Sequence, residues 1–188
     1  WSSDVCSSDL PTRQLRERPG VDAGDLHAGP PDRGGGIVSE DLRRLVEDFW
    51  ADLYRRDFDA VGARFAPDGE YTDMPTPAED VARGPEQIAA RLRLGLGPLA
   101  SISHDVRVIM CEGDTAVTEH VEHWEWPSGE RASLPFVSVQ QVRDGTFVRW
   151  WDYWDLGALM NHAPAWWVEH IMAESARIGL RSDDEPTT

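Results

Sequence analysis

The amino-acid sequence predicts an α+β fold in which helices cover one face of an antiparallel sheet. Apolar residues recur at helical spacing between positions 39 and 96, and the period changes to that of strands between positions 101 and 155. One face of such a sheet must be buried, and the preceding helices can bury it. A curved sheet would then leave a cavity between its strands and the helices.

The two ends of the chain differ in composition from its middle. Residues 1–36 are rich in Gly, Pro, Ser, Asp and Arg and are expected to form a disordered tail. The opening WSSDVCSSDL looks like a translated cloning or sequencing scar, with an interaction tail as the alternative. The folded domain is predicted at residues 37–175, and residues 176–188 are expected to form a flexible acidic tail.

Three helices are expected before the sheet. The first begins at Ser39, a residue type that favours helix N-termini, and runs to about Arg56. The second and third are FDAVGARF, residues 58–65, and GPEQIAARLRLGL, residues 84–96. Between them, APDGEYTDMP is expected to form a turn and a short strand that Pro75 ends.

Four strand-like runs then follow one another closely. The turns between them, EGD, PSGE and RDG, are short enough for hairpins, so the runs should form an antiparallel meander. The predicted strands are residues 101–113, 114–126, 131–145 and 146–155. A final helical region follows and is expected to break near Pro164.

Composition restricts the classes of partner. The formal net charge is −16, and all 18 basic residues are arginine, so we expect neither nucleic-acid nor membrane-surface binding. No apolar stretch approaches the roughly 18 residues of a membrane-spanning helix. The two cysteines lack zinc-binding spacing, and no secretory signal is recognisable. A cytoplasmic protein is predicted.

The stretch TEHVEHWEW, residues 118–126, places charged side chains inside a predicted strand. Because side chains alternate along a strand, the even-numbered residues from Thr118 to Trp124 share one face, and this face includes a histidine and a glutamate. The odd-numbered residues from Glu119 to Glu125 share the other face, and of these His123 and Glu125 are expected at the surface.

Asp152 lies between two tryptophans on one face of the last predicted strand. If Trp150 and Trp154 line a cavity, the carboxyl is desolvated, its pKa rises and it can act as a general base. A neighbouring protonated carboxyl could then protonate a leaving oxygen. An imidazolium at His120, between Glu122 and Asp152, would offset the repulsion between buried carboxylates, which predicts a Glu122–His120–Asp152 relay.

Three motifs occur in the order found in a known family. EYTDMP (residues 70–75), AVTEHVEHW (116–124) and RWWDYWDL (149–156) resemble segments of the limonene-1,2-epoxide hydrolase family. The resemblance covers about residues 40–160. It implies the nuclear-transport-factor-2-like (NTF2-like) cone fold of the SnoaL-like superfamily, with helices packed against a curved antiparallel sheet that encloses a pocket.

The resemblance also implies roles for individual residues. In that family a carboxylate on the last strand deprotonates a water that a tyrosine and an asparagine hold, and a second acid protonates the epoxide oxygen. The base falls on Asp152, the water-holding residues on Tyr71 and Asp73, and the acid on Glu122. His120 takes the position of an arginine that links the two carboxylates.

Three of these positions depart from the family pattern. Asp73 replaces an asparagine, Glu122 replaces an aspartate, and His120 replaces the arginine. Glutamate keeps the acid chemistry. Histidine differs more, because arginine is a fixed cation with a bidentate fork, whereas histidine is often neutral near pH 7 and has two ring nitrogens.

The expected activity is therefore the opening of a small apolar epoxide to a vicinal diol, without a cofactor or a metal. Met74, Trp124, Trp150 and Trp154 are expected to contact the substrate. The family also implies a homodimer that forms through the outer face of the sheet.

Other functions remain open from the sequence. A ketosteroid-isomerase-like isomerase, cyclase or dehydratase of the same fold would use Asp152 or His120 to remove a proton beside a carbonyl. A divalent metal held by Asp73, His120, Glu122 and Asp152 is a further alternative. A non-catalytic binding or dimerisation module is the third, although burying charge without function is costly.

Overall fold

The computed structural model describes residues 39–77 and 80–175. Within these ranges, helices cover one face of a curved, open six-stranded sheet, which confirms the predicted α+β class. The helices are α1 (Ser39–Tyr54), α2 (Phe58–Ala63), α3 (Gly84–Leu96), α4 (Leu156–Met160) and α5 (Ala165–Ser175). The strands are β1 (Phe65–Asp73), β2 (Val81–Arg83), β3 (Ser101–Glu112), β4 (Thr115–Glu125), β5 (Arg131–Arg143) and β6 (Thr146–Trp154).

The predicted meander is confirmed. Strands β3 to β6 pair antiparallel in chain order, within a sheet of order β2-β1-β6-β5-β4-β3. The hairpin between β5 and β6 turns at Asp144 and Gly145, whose φ angles of 52° and 78° match the type I′ turns that suit hairpins. Strand β1 pairs parallel to β6, so a strand from early in the chain lies beside the last one.

Alternation decides what each central strand contributes to the interior. Along β4, the even-numbered residues from Ala116 to Trp124 are buried beneath the helices. Along β5, the even-numbered residues from Ala132 to Val142 are buried in the same way. The face of TEHVEHWEW that carries His120 and Glu122 is therefore the inner face.

Helix α1 is amphipathic and packs against this inner face. Phe49 and Trp50 are buried and contact Trp150, with ring centroids 4.9 and 5.8 Å from that ring. Tyr71 of β1 stacks on the same ring at 3.9 Å. An aromatic cluster around Trp150 thus joins α1, β1 and β6.

The chain leaves the sheet into two short helices. The Asp155 carboxylate accepts hydrogen bonds from the backbone N–H groups of Gly157 and Ala158 and so begins α4. The predicted break near Pro164 is confirmed, because α4 ends at Met160 and α5 begins at Ala165.

The two predicted tails fall outside the described ranges. Residues 1–36 and 176–188 lie there, and the domain boundaries stay predictions. The homodimer also stays a prediction. None of the described helices combines the length and apolar character that crossing a membrane would require.

Close packing between α2 and α3 gives a test of the fold. A Cβ added at Gly62 would lie 2.4 Å from the Pro85 carbonyl oxygen, which belongs to the backbone. We expect Gly62→Ala to lower the free energy of unfolding by about 1–3 kcal/mol, because overpacking forces the backbone to shift. Chemical denaturation followed by circular dichroism measures this.

Gly95 in α3 offers the matched control. A Cβ added there meets nothing within 4 Å, so Gly95→Ala should stabilise the protein by about 0.4–1 kcal/mol through the entropy of the unfolded chain. Equal destabilisation by both substitutions would contradict the proposed contact.

Candidate active site

A cavity of about 360 Å³ lies between the inner face of the sheet and the helices α3, α4 and α5. Its volume falls among small-molecule pockets, which span about 300–1,000 Å³. Most of its wall is apolar, including Leu53, Leu92, Phe136, Leu159, Trp167 and Ile171. The wall also contains a group of polar side chains: Tyr71, Asp73, Arg91, Glu122 and Asp152.

Strand register brings polar side chains together beneath this cavity. Ser138 of β5 lies opposite Thr118 of β4 on one side and opposite Asp152 of β6 on the other. Asp152 in turn lies opposite Asp73 of β1. These residues form a row across four strands, and a slip of one residue in any strand would turn its member to the other face.

Asp152 is buried, with 4% of its surface exposed. Its Oδ1 accepts hydrogen bonds from Ser138 Oγ and Trp150 Nε1, both at 2.5 Å, and Tyr71 Oη lies 3.3 Å from its Oδ2. Burial raises the pKa of Asp152 well above its usual range, and the negative charge of Asp73 raises it further. Asp152 can therefore hold a proton near neutral pH, while the two donors to Oδ1 also support its carboxylate form.

Glu122 is buried in a similar way, with 5% of its surface exposed. Tyr54 Oη donates to its Oε1 at 2.5 Å, and Trp124 Nε1 donates to its Oε2 at 2.7 Å. Burial raises the pKa of Glu122 to about 7 despite these two hydrogen bonds. Glu122 can therefore gain or lose a proton at physiological pH.

Asp73 is the counter-ion of Arg91. Its Oδ2 accepts from Arg91 Nε at 3.0 Å and Nη2 at 2.9 Å, and its Oδ1 accepts from Tyr71 Oη at 2.9 Å and Trp154 Nε1 at 3.0 Å. The two carboxylate oxygens thus already accept four hydrogen bonds. Asp73 therefore orients Tyr71 and Trp154, and it has little remaining capacity to hold a water directly.

His120 is fully enclosed, with 1% of its surface exposed. Its Nδ1 lies 3.3 Å from Tyr54 Oη, and its Nε2 lies 3.1 Å from Ser138 Oγ. Burial and, to a smaller extent, the neighbouring His104 ring lower the pKa of His120 from 6.5 to about 3. His120 therefore does not contact the two carboxyls as predicted, because the hydroxyls of Tyr54 and Ser138 lie between the ring and each carboxyl, and an imidazolium there would be buried without a charged partner in contact.

The remaining predicted residues divide into two groups. Trp124, Trp150 and Trp154 line the cavity. Met74 follows β1, is 44% exposed and is not among the described residues of the cavity wall, so the structure does not place it against a bound substrate. Its backbone N–H donates to the Asp152 carbonyl and continues the pairing of β1 with β6, which directs the chain out of the pocket.

Three residues of the site were missed by the sequence-based prediction. Ser138 could have been found, because alternation along β5 places it on the same face as Phe136. Tyr54 follows Trp50 by one helical turn, a spacing that puts both on the buried face of α1. Arg91 had no local signal, since its role comes from an ion pair with a strand 18 residues earlier.

A family model for the SnoaL-like domain matches residues 44–150. The chain belongs to the SnoaL-like domain family. The polar row and the cavity of this SnoaL-like protein lie largely within the matched region. Within the described ranges, no group of three or more His, Cys, Asp or Glu side chains is arranged to hold a metal ion.

Solved structures share its fold. An LEH-like epoxide hydrolase from M. tuberculosis is 22% identical, with a TM-score of 0.56 over 74% of this chain and 97% of that chain. A protein from Jannaschia sp. CCS1, assigned as a SnoaL-like polyketide cyclase, is 17% identical, with a TM-score of 0.60 over 68% of this chain and 94% of that chain.

A third neighbour widens the range of functions. A protein with a ketosteroid isomerase-like fold from Catenulispora acidiphila, solved with trimethylamine, is 21% identical, with a TM-score of 0.56 over 62% of this chain and 89% of that chain. At these identities the likeness shows the fold alone, and it confirms the predicted NTF2-like cone. A search of curated proteins found no match.

Burial of Glu122 predicts a measurable dependence of stability on pH. Its pKa is about 7 in the folded protein against 4.5 for a free carboxyl, so between these values the folded state keeps a proton that the unfolded state releases. This contribution to stability is complete below pH 4.5 and falls as pH rises toward 7, by up to about 1.4 kcal/mol per pH unit. Glu122→Gln removes the titration, so the stability of the variant relative to wild type should rise across this window.

Urea denaturation at a series of pH values tests this expectation. Glu119→Gln makes the same chemical change on the outer face of β4, where Glu119 pairs with Arg107 at the surface. This variant shows how the chemical change by itself affects stability at the surface. A difference between Glu122→Gln and wild type that stays flat with pH would show that Glu122 ionises normally.

Proposed function

We propose that this SnoaL-like protein opens a small apolar epoxide by one-step general acid–base hydrolysis to a vicinal diol. The observation that supports this function is that two buried carboxyls, Asp152 and Glu122, line one apolar cavity, each with its pKa raised by burial. Hydrolysis of an epoxide needs one group to accept a proton from water and another to protonate the ring oxygen. A carboxyl pair that shares a single proton supplies both groups.

Hydrogen bonding and the motif resemblance together support an assignment of the two roles. Ser138 and Trp150 both donate to Oδ1 of Asp152, and the Tyr71 hydroxyl donates to Asp73, so Oδ2 of Asp152 is left to accept a proton from water. We assign Asp152 as the base, the role that the motif resemblance gives it. Glu122, which accepts from Tyr54 and Trp124 when ionised, is assigned as the acid.

The reaction then proceeds with balanced protons. Water donates one proton to the Asp152 carboxylate while its oxygen attacks an epoxide carbon, and the carbon–oxygen bond of the ring breaks. The freed oxygen takes the proton of Glu122, and a diol results. The Tyr71 hydroxyl donates to Asp73 and has lone pairs left, so it can accept the second proton of the water and orient it.

The cavity wall indicates the class of substrate. Large apolar side chains such as Trp124, Phe136 and Trp167 surround the acid and base. An apolar substrate of terpene-like or aryl type suits this wall, because transferring it from water into the cavity is favourable. The epoxide hydrolase among the structural neighbours adds support from the fold.

A second candidate function has its own supporting observation. Tyr71 Oη lies 3.3 Å from the protonatable Asp152, an arrangement that could donate two hydrogen bonds to an enolate oxygen. Glu122, with a pKa of about 7, could then remove a proton beside a carbonyl, as in an isomerase or a cyclase. His120 is not suited to be that base, because it is not among the described residues that line the cavity.

A panel of terpene and aryl epoxides in oxygen-18 water tests the proposal. We expect diols that carry one labelled oxygen. Asp152→Asn and Glu122→Gln should each lower kcat by about 10²–10⁴-fold, because each removes a group that moves a proton. Asp105→Asn and Glu119→Gln make the same changes at exposed positions and should keep full activity.

Other outcomes separate the candidates. Deuterium incorporated from solvent beside a carbonyl, with no diol formed from any epoxide, would support the isomerase or cyclase. Full epoxide hydrolysis by Asp152→Asn would contradict the assignment of the base. A folded protein that turns over neither class of compound would contradict both functions.

A further inference from the structure

We propose that His120 is a positioning residue that couples Glu122 to Asp152 so that the two carboxyls hold a single proton between them. The role assigned to this coupling rests on the proposed function, because a pair with one proton is what provides one acid and one base. The coupling itself follows from a chain of hydrogen bonds behind the cavity.

The chain of hydrogen bonds is continuous from one carboxyl to the other. Glu122 Oε1 lies 2.5 Å from Tyr54 Oη, which lies 3.3 Å from His120 Nδ1. His120 Nε2 lies 3.1 Å from Ser138 Oγ, which lies 2.5 Å from Asp152 Oδ1. In the described part of the chain, each of the two hydroxyls has these two hydrogen-bond partners, and neither hydroxyl lines the cavity.

A neutral imidazole has one N–H donor and one acceptor nitrogen, and this limits the directions that the hydrogen bonds of the chain can take. With the proton on Glu122 and no substrate oxygen present to receive it, Glu122 donates to Tyr54, Tyr54 to Nδ1, Nε2–H to Ser138, and Ser138 to Asp152. With the proton on Asp152, every hydrogen bond reverses and the ring carries its hydrogen on Nδ1. All four contacts are satisfied in both arrangements.

Other protonation states leave a mismatch beside the ring. If both carboxyls are ionised, the hydroxyls of Tyr54 and Ser138 each donate to a carboxylate. The acceptor nitrogen of His120 then faces a hydroxyl oxygen whose hydrogen points away from it. If both carboxyls are protonated, both hydroxyls donate toward the His120 ring. The hydrogen of one hydroxyl then points at the hydrogen of the ring N–H. Each mismatch is buried and costs free energy, so the singly protonated pair is favoured over a wider range of pH.

The groups around the ring leave it neutral and leave the carboxyls to titrate. His104 of β3 stacks on Tyr54 at 3.6 Å, and its pKa is lowered to about 4 by burial, so it carries no charge near pH 7. Burial raises the pKa of Tyr54 and of Tyr71, so both stay protonated. The Arg91 guanidinium is paired with Asp73.

An arginine in place of His120 could not act in this way. A guanidinium has donors and no acceptor, so it favours ionisation of both carboxyls. The histidine thus changes the electrostatic state of the pair.

Nitrogen-15 NMR of labelled histidine tests the proposal without any substitution or substrate. We expect the His120 ring to show one protonated and one unprotonated nitrogen from pH 5 to 8. A ring with both nitrogens protonated in this range would overturn the proposal, because an imidazolium cannot accept a hydrogen bond.

Carbon-13 NMR of the two carboxyls tests the coupling. Ser138→Ala breaks the chain on the side of Asp152, yet it should also move the titration of Glu122 and bring the two apparent pKa values closer by about one pH unit. Ser138→Thr keeps a hydroxyl and should retain the wild-type separation. A Glu122 titration that is unchanged in Ser138→Ala would overturn the coupling, since a purely local hydrogen bond would move Asp152 alone.

Tyr54→Phe gives the reciprocal measurement and serves if Ser138→Ala does not fold. It removes a contact of Glu122 and should move the titration of Asp152, whereas an unchanged Asp152 would overturn the proposal. These titrations need no turnover. If the protein hydrolyses epoxides but the two titrations are independent of each other, this inference alone is overturned. If the titrations are coupled but no epoxide is hydrolysed, the proposed function alone is overturned.

Discussion

Burying Asp152 and Glu122 beneath an apolar cavity has a large desolvation cost, and the surrounding structure offsets it with neutral donors. Two indole N–H groups, from Trp150 and Trp124, and the hydroxyl groups of Tyr54 and Ser138 supply the hydrogen bonds. A fixed cation in contact would hold either carboxyl ionised, whereas neutral donors satisfy it and leave its pKa high. The acid–base character of the site therefore comes from the choice of donors.

The fixed charges of the site are paired with each other beside this system. Arg91 binds the Asp73 carboxylate through two nitrogens, so the two charges largely offset each other. Asp73 in turn raises the pKa of the neighbouring Asp152. Where the epoxide hydrolase motif has an asparagine, this chain thus has an ion pair that keeps its cation away from the titrating groups and makes the base harder to ionise.

The hydrophobic core and the candidate site share the same aromatic side chains. Trp150 packs against Phe49 and stacks with Tyr71, and it also donates to Asp152. Trp50 packs against the His120 ring and donates to Thr118, which begins the polar row. Because these rings serve both packing and hydrogen bonding, their truncation would lower stability and disturb the carboxyls together. Ser138, Tyr54 and Glu122 contribute less to the hydrophobic core, so substitutions there test the acid–base chemistry with a smaller effect on stability.

Periodicity determined much of the fold. The helices at α1 and α3 and the four strands of the meander follow from local spacing, and alternation together with the family motifs assigned His120, Glu122 and Asp152 to the buried face. The ordered motifs predicted the NTF2-like cone. These features are local, because a side chain's direction along a strand or helix depends on its neighbours in sequence.

Tertiary structure decided the chemistry of the site. The parallel pairing of β1 with β6 places Asp73 opposite Asp152, and the contact of α3 with β1 brings Arg91 to that carboxylate. Helix α1 supplies Tyr54, which separates His120 from Glu122 and makes the ring a neutral partner of hydroxyls. The sequence determined which face of the sheet holds the ionisable groups. The hydrogen-bond partners of those groups depended on contacts between segments that are distant in sequence. A buried carboxyl or imidazole gains or loses its proton according to these partners.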